Sequence, residues 1–206
     1  MNIQNLLSRF RNAFYNIENI EKIINKLLTI NKYNDLSMVS YEKGTSDKFV
    51  IDNPIVISLT TYGLRINEVH LTIESLLHQT VKPNRIILWL DNSFKNTTIP
   101  YLLRMQEKRG LEICYCIDIR SYTKLVPTLE LCPNSVIITV DDDMIYTPDF
   151  IEHLLNAYQK DSKKVYFYRG HKIVFDKKGK LAPYENWVTI GAKGSSVFNM
   201  PTVSIR

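Results

Sequence analysis

Residues 136–143 have the sequence VIITVDDD, an apolar run of strand length followed directly by three aspartates. Consecutive apolar and β-branched residues predict a strand that is buried on both faces, as in a parallel sheet. Three adjacent carboxylates repel one another unless a cation neutralises them. Ligation by oxygen alone suits Mg²⁺ or Mn²⁺, which usually also bind substrate phosphates. The alternative is an exposed acidic turn, since Asp is common in turns.

Further strands and helices alternate along the chain around this stretch. Strands are predicted over 55–60, 85–90 and 112–117, and helices over 68–79, 100–108, 123–131 and 149–159. Smaller edge pieces are predicted over 165–168 and 172–175. Alternation of this kind predicts parallel βαβ units with helices on both faces of the sheet. We therefore expect an α/β fold that binds its ligands at the carboxyl ends of the strands.

Composition and charge exclude several classes of protein. The 206 residues are 45% hydrophobic and 23% charged, as in an ordinary globular domain and unlike a disordered, collagenous or disulfide-stapled chain. The 26 Lys and Arg residues exceed the 21 Asp and Glu residues by five, which indicates a mildly basic surface or an anionic partner. No arginine-rich tract is present, so we expect no nucleic-acid partner.

Cysteine usage and the start of the chain bear on location. Cys114, Cys116 and Cys132 are odd in number and no export signal is visible, which predicts reduced, buried thiols in the cytoplasm. The four histidines do not cluster with them at zinc-ligand spacing. No apolar run approaches the ~20 residues of a membrane span.

The first 47 residues are predicted to form a unit of their own. Apolar residues recur at three- and four-residue steps between Leu6 and Leu28, which predicts an amphipathic helix, and a polar connector follows over 31–47. A basic amphipathic helix can lie on an anionic membrane surface. The alternative is a helix that packs on the sheet domain, predicted over 48–206, or on a second subunit.

Polar side chains follow the predicted strands at their carboxyl ends. They offer hydroxyls, a ring to stack on a base, a carboxylate to accept from a base imide, and cations for phosphate. The set is Thr60, Thr61, Tyr62, Arg65, Asp91, Lys124 and Arg169. If strand geometry continues through the acidic triplet, Asp141 and Asp143 point one way and Asp142 points the other.

Several of these segments together resemble the GT-A glycosyltransferases. The resemblance lies in ISLTTY (57–62) with Arg65, in IILWL (86–90), in YTKLVPTL (122–129) and in ITVDDD (138–143) with Tyr146 and Pro148. Tyr168 to His171 and Trp187 extend it, so that it covers roughly residues 53 to 192. The chain is most similar to bacterial family-2-like transferases that build lipooligosaccharide, capsule or other surface glycans.

The resemblance implies a GT-A, Rossmann-like sheet and a nucleotide-sugar donor, most simply a UDP-sugar, with Mn²⁺ or Mg²⁺ bridging its diphosphate. Asp143 would ligate the metal directly, and Asp141 or Asp142 would bind the metal through water or the donor ribose. Thr60, Tyr62, Arg65 and Asp91 would surround the nucleotide, with Lys124 near the donor. The acceptor would be a glycan or a lipid-linked molecule, and the N-terminal helix would give a dimer or a peripheral contact with the inner face of the membrane.

The region after the triplet departs from the family pattern. No later acidic motif is recognisable, so Glu185, beside Trp187, is the one candidate for the general base. We therefore expect the acceptor-binding half to be largely missing, and a donor-binding remnant or interaction module is the first alternative. A phosphatase of the haloacid-dehalogenase type is the second, although its motif normally has Thr or Val where this chain has Ile145. No Walker loop is present.

Overall fold

A six-stranded, mostly parallel sheet forms the centre of the computed structural model, which describes residues 3–191 and 203–205. Its strands, in spatial order, are β3 (Leu111–Cys116), β2 (Arg85–Asp91), β1 (Ile55–Thr60), β4 (Val136–Thr139), β8 (Val203–Ile205) and β5 (Tyr166–Phe167). The first four are mutually parallel, and β8 pairs antiparallel with both β4 and β5. The predicted α/β fold is confirmed.

Five α-helices are described. They are α1 (Ile3–Val39), α2 (Val69–Leu77), α3 (Tyr101–Glu107), α4 (Val126–Leu131) and α5 (Phe150–Lys160). Short 3₁₀ helices cover Gly63–Asn67, Asn92–Asn96, Arg120–Lys124 and Tyr184–Asn186. A separate two-stranded sheet pairs β6 (Arg169–Lys172) with β7 (Val188–Gly191), so the edge piece predicted over 172–175 was placed too late in the chain.

Strand alternation divides the core into two parts. Ile57, Leu88 and Ile138 belong to the larger cluster, which also contains apolar residues of α2, α3 and α5. The intervening residues, such as Ile87, belong to a smaller cluster that includes Cys132 at the end of α4. This division follows from the period of two along a strand. Both faces of the central strands are covered by helices, which is why their sequences are continuously apolar.

The predicted connector over 31–47 is wrong in its first part, because α1 continues to Val39. The polar residues there have tertiary partners that the sequence pattern does not reveal. Asn34 Oδ1 lies 2.9 Å from His70 Nε2, and Ser37 is buried. Beyond the helix, Gly44 N donates a hydrogen bond to Arg109 O at 2.8 Å. The division of the chain at residue 47 stays a prediction.

The middle of α1, over residues 17–28, leaves apolar surface exposed. Its exposed apolar side chains are Ile17, Ile20, Ile23, Ile24, Leu27 and Leu28. Among the residues that the structure describes, no helix combines the length and the apolar character needed to cross a membrane.

The three cysteines are free thiols. Cys132 is buried as expected, whereas Cys114 and Cys116 on the outer parallel strand β3 are only partly buried, which corrects the prediction for that pair. Burial raises the pKa of all three thiols.

Candidate functional site

The acidic triplet lies in a turn beyond the end of β4, at the carboxyl edge of the parallel strands. Because the strand ends at Thr139, the alternation of side chains does not continue through the aspartates. Asp142 and Asp143 both contact Arg65, and Asp141 contacts Lys124. The predicted orientation, with Asp141 and Asp143 on one side and Asp142 on the other, is therefore wrong.

Two cations form ion pairs with the triplet. Lys124 Nζ lies 2.5 Å from Asp141 Oδ1. Arg65 Nη1 lies 2.9 Å from Asp142 Oδ1, and Arg65 Nη2 lies 3.3 Å from Asp143 Oδ2. The carboxylate of Asp142, followed by that of Asp143, raises the pKa of the Arg65 guanidinium, so this pair of charges is mutually stabilising.

Residues from α2 and the segment after the triplet hold the turn in place. Thr72 Oγ1 donates to Asp142 O at 2.9 Å, and Asp141 N donates to the hydroxyl of Tyr146 at 2.9 Å. Tyr146 is itself fully buried, and its amide donates to Ser75 Oγ at 3.0 Å. Burial raises the pKa of the Tyr146 phenol, so it stays a neutral hydrogen-bonding group. Neither Thr72 nor Ser75 was predicted from the sequence to be a site residue.

A cavity of about 310 Å³ opens at the carboxyl ends of β1, β2 and β4. Seven of the predicted donor-site residues line this cavity, called the donor cavity below: Thr60, Thr61, Tyr62, Asp91, Lys124, Asp141 and Asp142. Thr61 Oγ1 donates to Asp142 Oδ2 at 2.6 Å, which ties the end of β1 to the triplet. The convergence follows from parallel strands ending at one edge of the sheet.

Asp91 and Thr60, which also line the donor cavity, have partners outside the triplet. Asp91 Oδ1 accepts from Ser93 N at 2.9 Å and Oδ2 accepts from Asp118 N at 3.2 Å. The bonds from Ser93 hold the pKa of Asp91 below its usual value. Thr60 Oγ1 donates to Trp89 O at 3.0 Å. By contrast, the Tyr62 ring is well exposed, and the Arg65 guanidinium carbon lies 5.6 Å from its centroid.

The loop after β3 supplies cavity residues that the sequence reasoning missed. Asp118, Arg120, Ser121 and Thr123 line the donor cavity. Asp118 Oδ1 accepts from Arg120 N at 2.8 Å and from Thr123 Oγ1 at 3.1 Å, which fixes the loop. Arg120 has a φ of 62°, an uncommon value for a side chain of this size. Their position in the sequence could have identified them, because these residues follow a strand just as Thr61 and Asp91 do.

Four predicted residues lie elsewhere. Arg65 and Asp143 line a second cavity on the opposite side of Asp142, where they contact each other. Glu185 is an exposed residue of the 3₁₀ helix Tyr184–Asn186 and lines neither of these two cavities. The backbone of Arg169 belongs to β6, and its side chain lies outside the described residues.

The second cavity, called the α1 cavity below, has a volume of about 450 Å³. It lies between α1, α2 and the residues that follow the triplet. Its lining is Lys26, Ile30, Arg65, Glu68, Leu71, Thr72, Asp142, Asp143, Met144 and Ile145. Asp142 lines both cavities, so it is the boundary between them.

The triplet has the donor chemistry for a hard divalent cation. Asp143 is the most open of its side chains, at 54% exposed, followed by Asp141 at 35% and Asp142 at 9%. Across residues 3–191 and 203–205, no three Asp, Glu, His or Cys side chains form a ready-made metal cluster. Mg²⁺ usually binds through one or two carboxylates plus substrate phosphates, so Asp141, which lines the donor cavity, fits a site that substrate completes. Asp143 lines the α1 cavity, on the other side of Asp142.

Comparison with known proteins gives one family match. The model of glycosyl transferase family 2 matches residues 57–194. No curated protein sequence matches the chain.

Two solved structures resemble the fold loosely. A mannosyltransferase from Pyrobaculum calidifontis, in complex with GDP-Man and Mn²⁺, is 11% identical with a TM-score of 0.41; the match covers 64% of this chain and 42% of that one. A CMP:2-keto-3-deoxy-manno-octonic acid synthetase complexed with CTP is 12% identical with a TM-score of 0.40, over 74% of this chain and 71% of that one. This chain thus spans less than half the length of the mannosyltransferase.

Proposed function

The chain therefore belongs to glycosyl transferase family 2, and from that premise we propose that it transfers a sugar from a nucleotide-diphosphate donor, a UDP-sugar, to a glycan or lipid-linked acceptor. The observation that carries the proposal is the convergence of seven donor-site residues on one cavity beside the acidic triplet. Residues from β1, β2, β4 and the loop after β3 contribute to it, which is the arrangement expected for a nucleotide at the carboxyl edge of an open sheet.

The residues of the donor cavity have separate roles in this proposal. The exposed ring of Tyr62 stacks on the base, and Thr60, Thr61 and Asp91 hydrogen-bond the nucleoside. Lys124 and Arg120 line the cavity and carry the positive charge that a diphosphate requires. Arg65 lies at the triplet and adds a third cation. Arg169 stays a candidate from the sequence.

The transfer itself is a displacement at the anomeric carbon. The acceptor hydroxyl oxygen forms a bond to that carbon, the bond to the diphosphate oxygen breaks, and its electron pair leaves with the nucleoside diphosphate. The hydroxyl proton passes to a general base, for which Glu185 stays the sequence-based prediction. Mn²⁺ or Mg²⁺ at Asp143 and Asp141, when bound, supplies Lewis-acid stabilisation of the leaving diphosphate.

The biological setting is part of the same proposal. We place the enzyme in bacterial surface-polysaccharide synthesis, in the cytoplasm or at the inner face of the membrane, because the sequence segments resemble transferases of that kind. Membership of the glycosyl transferase family gives no support to the phosphatase alternative. A remnant that binds donor without transferring it is separated from an active enzyme by the experiments below.

Thermal unfolding with UDP and Mn²⁺ tests the donor site. At about 100 times the dissociation constant, a ligand stabilises the folded state by about 2.7 kcal/mol. For a chain of this size that raises the melting temperature by roughly 5–10 °C. Asp143→Asn removes most of the shift, and the matched substitution Asp47→Asn retains it, because Asp47 is an almost fully exposed residue in a surface ion pair with Lys43.

The absence of any shift with UDP, GDP or CDP, with or without metal, would refute the donor site. Turnover separates the remaining alternatives. Release of UDP from a UDP-sugar in the absence of acceptor argues for an active transferase, whereas nucleotide binding without turnover argues for the remnant. Hydrolysis of simple phosphomonoesters through an aspartyl-phosphate would establish the phosphatase.

A further inference from the structure

The α1 cavity has apolar walls and a charged rim. Ile30 of α1, Leu71 of α2, and Met144 and Ile145 after the triplet are all partly buried and line it. Its volume of about 450 Å³ lies within the roughly 300–1,000 Å³ of small-molecule sites, which are also mostly apolar with a few polar groups. An apolar portion of a ligand therefore fits the interior better than a phosphate or a free sugar does.

The position of this cavity relates it to the transfer reaction. Asp142 lines both cavities, and Asp143 and Arg65 line the α1 cavity while they contact each other. A molecule in the α1 cavity and a donor in the donor cavity would thus be separated by a single residue, Asp142. A hydroxyl at the Asp142 end of such a molecule would be presented towards the donor.

The apolar surface continues out of the cavity along α1. Ile23 and Leu27 precede Ile30 by seven and three residues, so all three lie on one side of the helix. Ile23 and Leu27 are both more than half exposed. A hydrocarbon chain that begins in the cavity could therefore extend along this side of α1, and the N-terminal helix would be part of the substrate site.

The charges at the rim indicate the kind of polar end. Glu68, Asp142 and Asp143 carry three negative charges against the positive charges of Lys26 and Arg65. Arg65 is already engaged by Asp142 and Asp143. Before a metal ion binds at Asp143, this balance disfavours an anionic head group and suits neutral hydroxyls, for which carboxylates are hydrogen-bond acceptors.

We propose that the α1 cavity, with the adjoining side of α1, is the acceptor site, and that the acceptor is an amphiphile with a neutral, hydroxyl-bearing head and a hydrocarbon tail. The assignment rests on the proposed function, since it is the donor cavity across Asp142 that makes a bound amphiphile an acceptor. It also gives α1 a role in substrate binding, which explains its exposed apolar side without a membrane surface or a second copy of the chain.

Binding of alkyl glucosides with tails from methyl to decyl, each below its micelle concentration, tests this site by calorimetry. Burial of each methylene is expected to tighten binding about fourfold while the tail still enters the cavity. Ile30→Glu abolishes the dependence on tail length. Leu28→Glu is the matched control, because Leu28 is exposed and two residues away, on roughly the opposite side of the helix.

A second variant distinguishes loss of the binding site from a folding defect. Ile30→Trp fills the cavity with an apolar side chain and is expected to shorten the longest tail that gains affinity. Both variants keep the UDP–Mn²⁺ melting shift of the wild type, which separates this site from the donor site. If the wild type shows dependence on tail length but no UDP shift, the proposed function fails while the apolar site stands.

Three results would overturn the acceptor site. The first is affinity that does not change with tail length. The second is an equal loss of the tail-length dependence in Leu28→Glu, which would indicate that the glucosides adsorb over the whole apolar surface of α1, as at a membrane. The third is a doubled mass in light scattering that both glutamate variants abolish, without glucoside binding, which would assign the surface to a second copy.

Discussion

Two of the guanidinium–carboxylate pairs among the described residues differ in little except their surroundings. Arg109 and Glu74 are 3% and 0% exposed, and Arg109 Nη1 lies 2.8 Å from Glu74 Oε1. Arg65 is 47% exposed, and its Nη1 lies 2.9 Å from Asp142 Oδ1. The lengths are nearly equal, so the geometry of the pairs alone does not distinguish a structural charge from a ligand-binding one.

The buried pair connects three segments of the chain. Gln106 Nε2 of α3 donates to Glu74 Oε2 at 2.8 Å, and Arg109 Nε donates to Glu42 O at 2.9 Å. Burial would raise the pKa of Glu74, but hydrogen bonds from His78, Gln106 and Arg109 outweigh it and lower the pKa. The pair thereby fixes α2, whose Thr72 and Ser75 hold the acidic turn.

The open pair is accessible to a ligand, whereas the buried pair is not. Arg65 faces Asp142, Asp143 and solvent at once, and it lies beside the exposed Tyr62 ring. Its contribution to stability is small because water screens it. The buried pair positions α2, and under the proposed function the pair at the sheet edge meets the donor.

The largest expected effect comes from breaking the buried pair. Arg109→Met leaves Glu74 charged and buried without its main partner, which is expected to lower the free energy of unfolding by about 3–5 kcal/mol. The change is measured from the urea midpoint at constant slope. The UDP–Mn²⁺ melting shift should persist at temperatures where the variant remains folded.

Arg85→Met is the matched control for that substitution. Arg85 forms an ion pair with Glu112 at 2.6 Å, but about a third of each side chain is exposed. Loss of this partly solvated pair is expected to cost about 1 kcal/mol or less. Equal urea midpoints for the two variants would show that the buried pair contributes no more to the free energy of unfolding than the partly solvated pair does.

A smaller effect, of a different kind, is expected at the open pair. Arg65→Gln should change the free energy of unfolding by less than about 1 kcal/mol. It should weaken UDP binding about tenfold or more, because a hydrogen bond to a charged group contributes about 1.5–3 kcal/mol. Urea unfolding and calorimetric titration of UDP with Mn²⁺ measure the two quantities separately.

Arg104→Gln controls for the loss of a positive charge. Arg104 pairs with Glu107 on the surface of α3, at 2.8 Å, and lines neither cavity. It should affect neither quantity. If Arg65→Gln destabilises the fold as much as Arg109→Met and leaves UDP binding intact, the open pair is structural.

The fold was largely predictable because its signals are local. Apolar runs such as 85–90 and the acidic end of β4 depend on neighbouring residues, and the parallel sheet follows from their alternation with helices. The length of α1 was not predictable in the same way. Asn34 and Ser37 look like connector residues, and only their burial against α2 and their own helix makes them helical.

The donor cavity was partly predictable for a related reason. Residues that directly follow β1, β2 and β4 could be collected by their position in the chain. Of the polar residues that follow β3 only Lys124 was predicted, so Arg120 was missed, whereas the boundary role of Asp142 depends on how the turn leaves β4 and could not be derived from alternation. The α1 cavity depends on the packing of α1, which sequence periodicity does not place.

The smallest expected effect is the pH dependence that Glu74 confers. Its pKa is lower in the folded protein than the ordinary 4.5, so the unfolded chain binds more protons near and below pH 4.5 and stability falls as the pH falls. Wild-type urea midpoints should therefore decline more steeply than those of Glu74→Gln between about pH 5 and 3.5. Burial lowers the pKa of His70 from its ordinary 6.5, so this group affects stability at a higher pH, near and below 6.5. His70→Gln should reduce the pH dependence of the urea midpoint only in that range. Parallel curves for wild type and Glu74→Gln below pH 5 would mean that the buried carboxylate gains nothing from Arg109, Gln106 and His78, and that the contrast with the open pair is one of exposure alone.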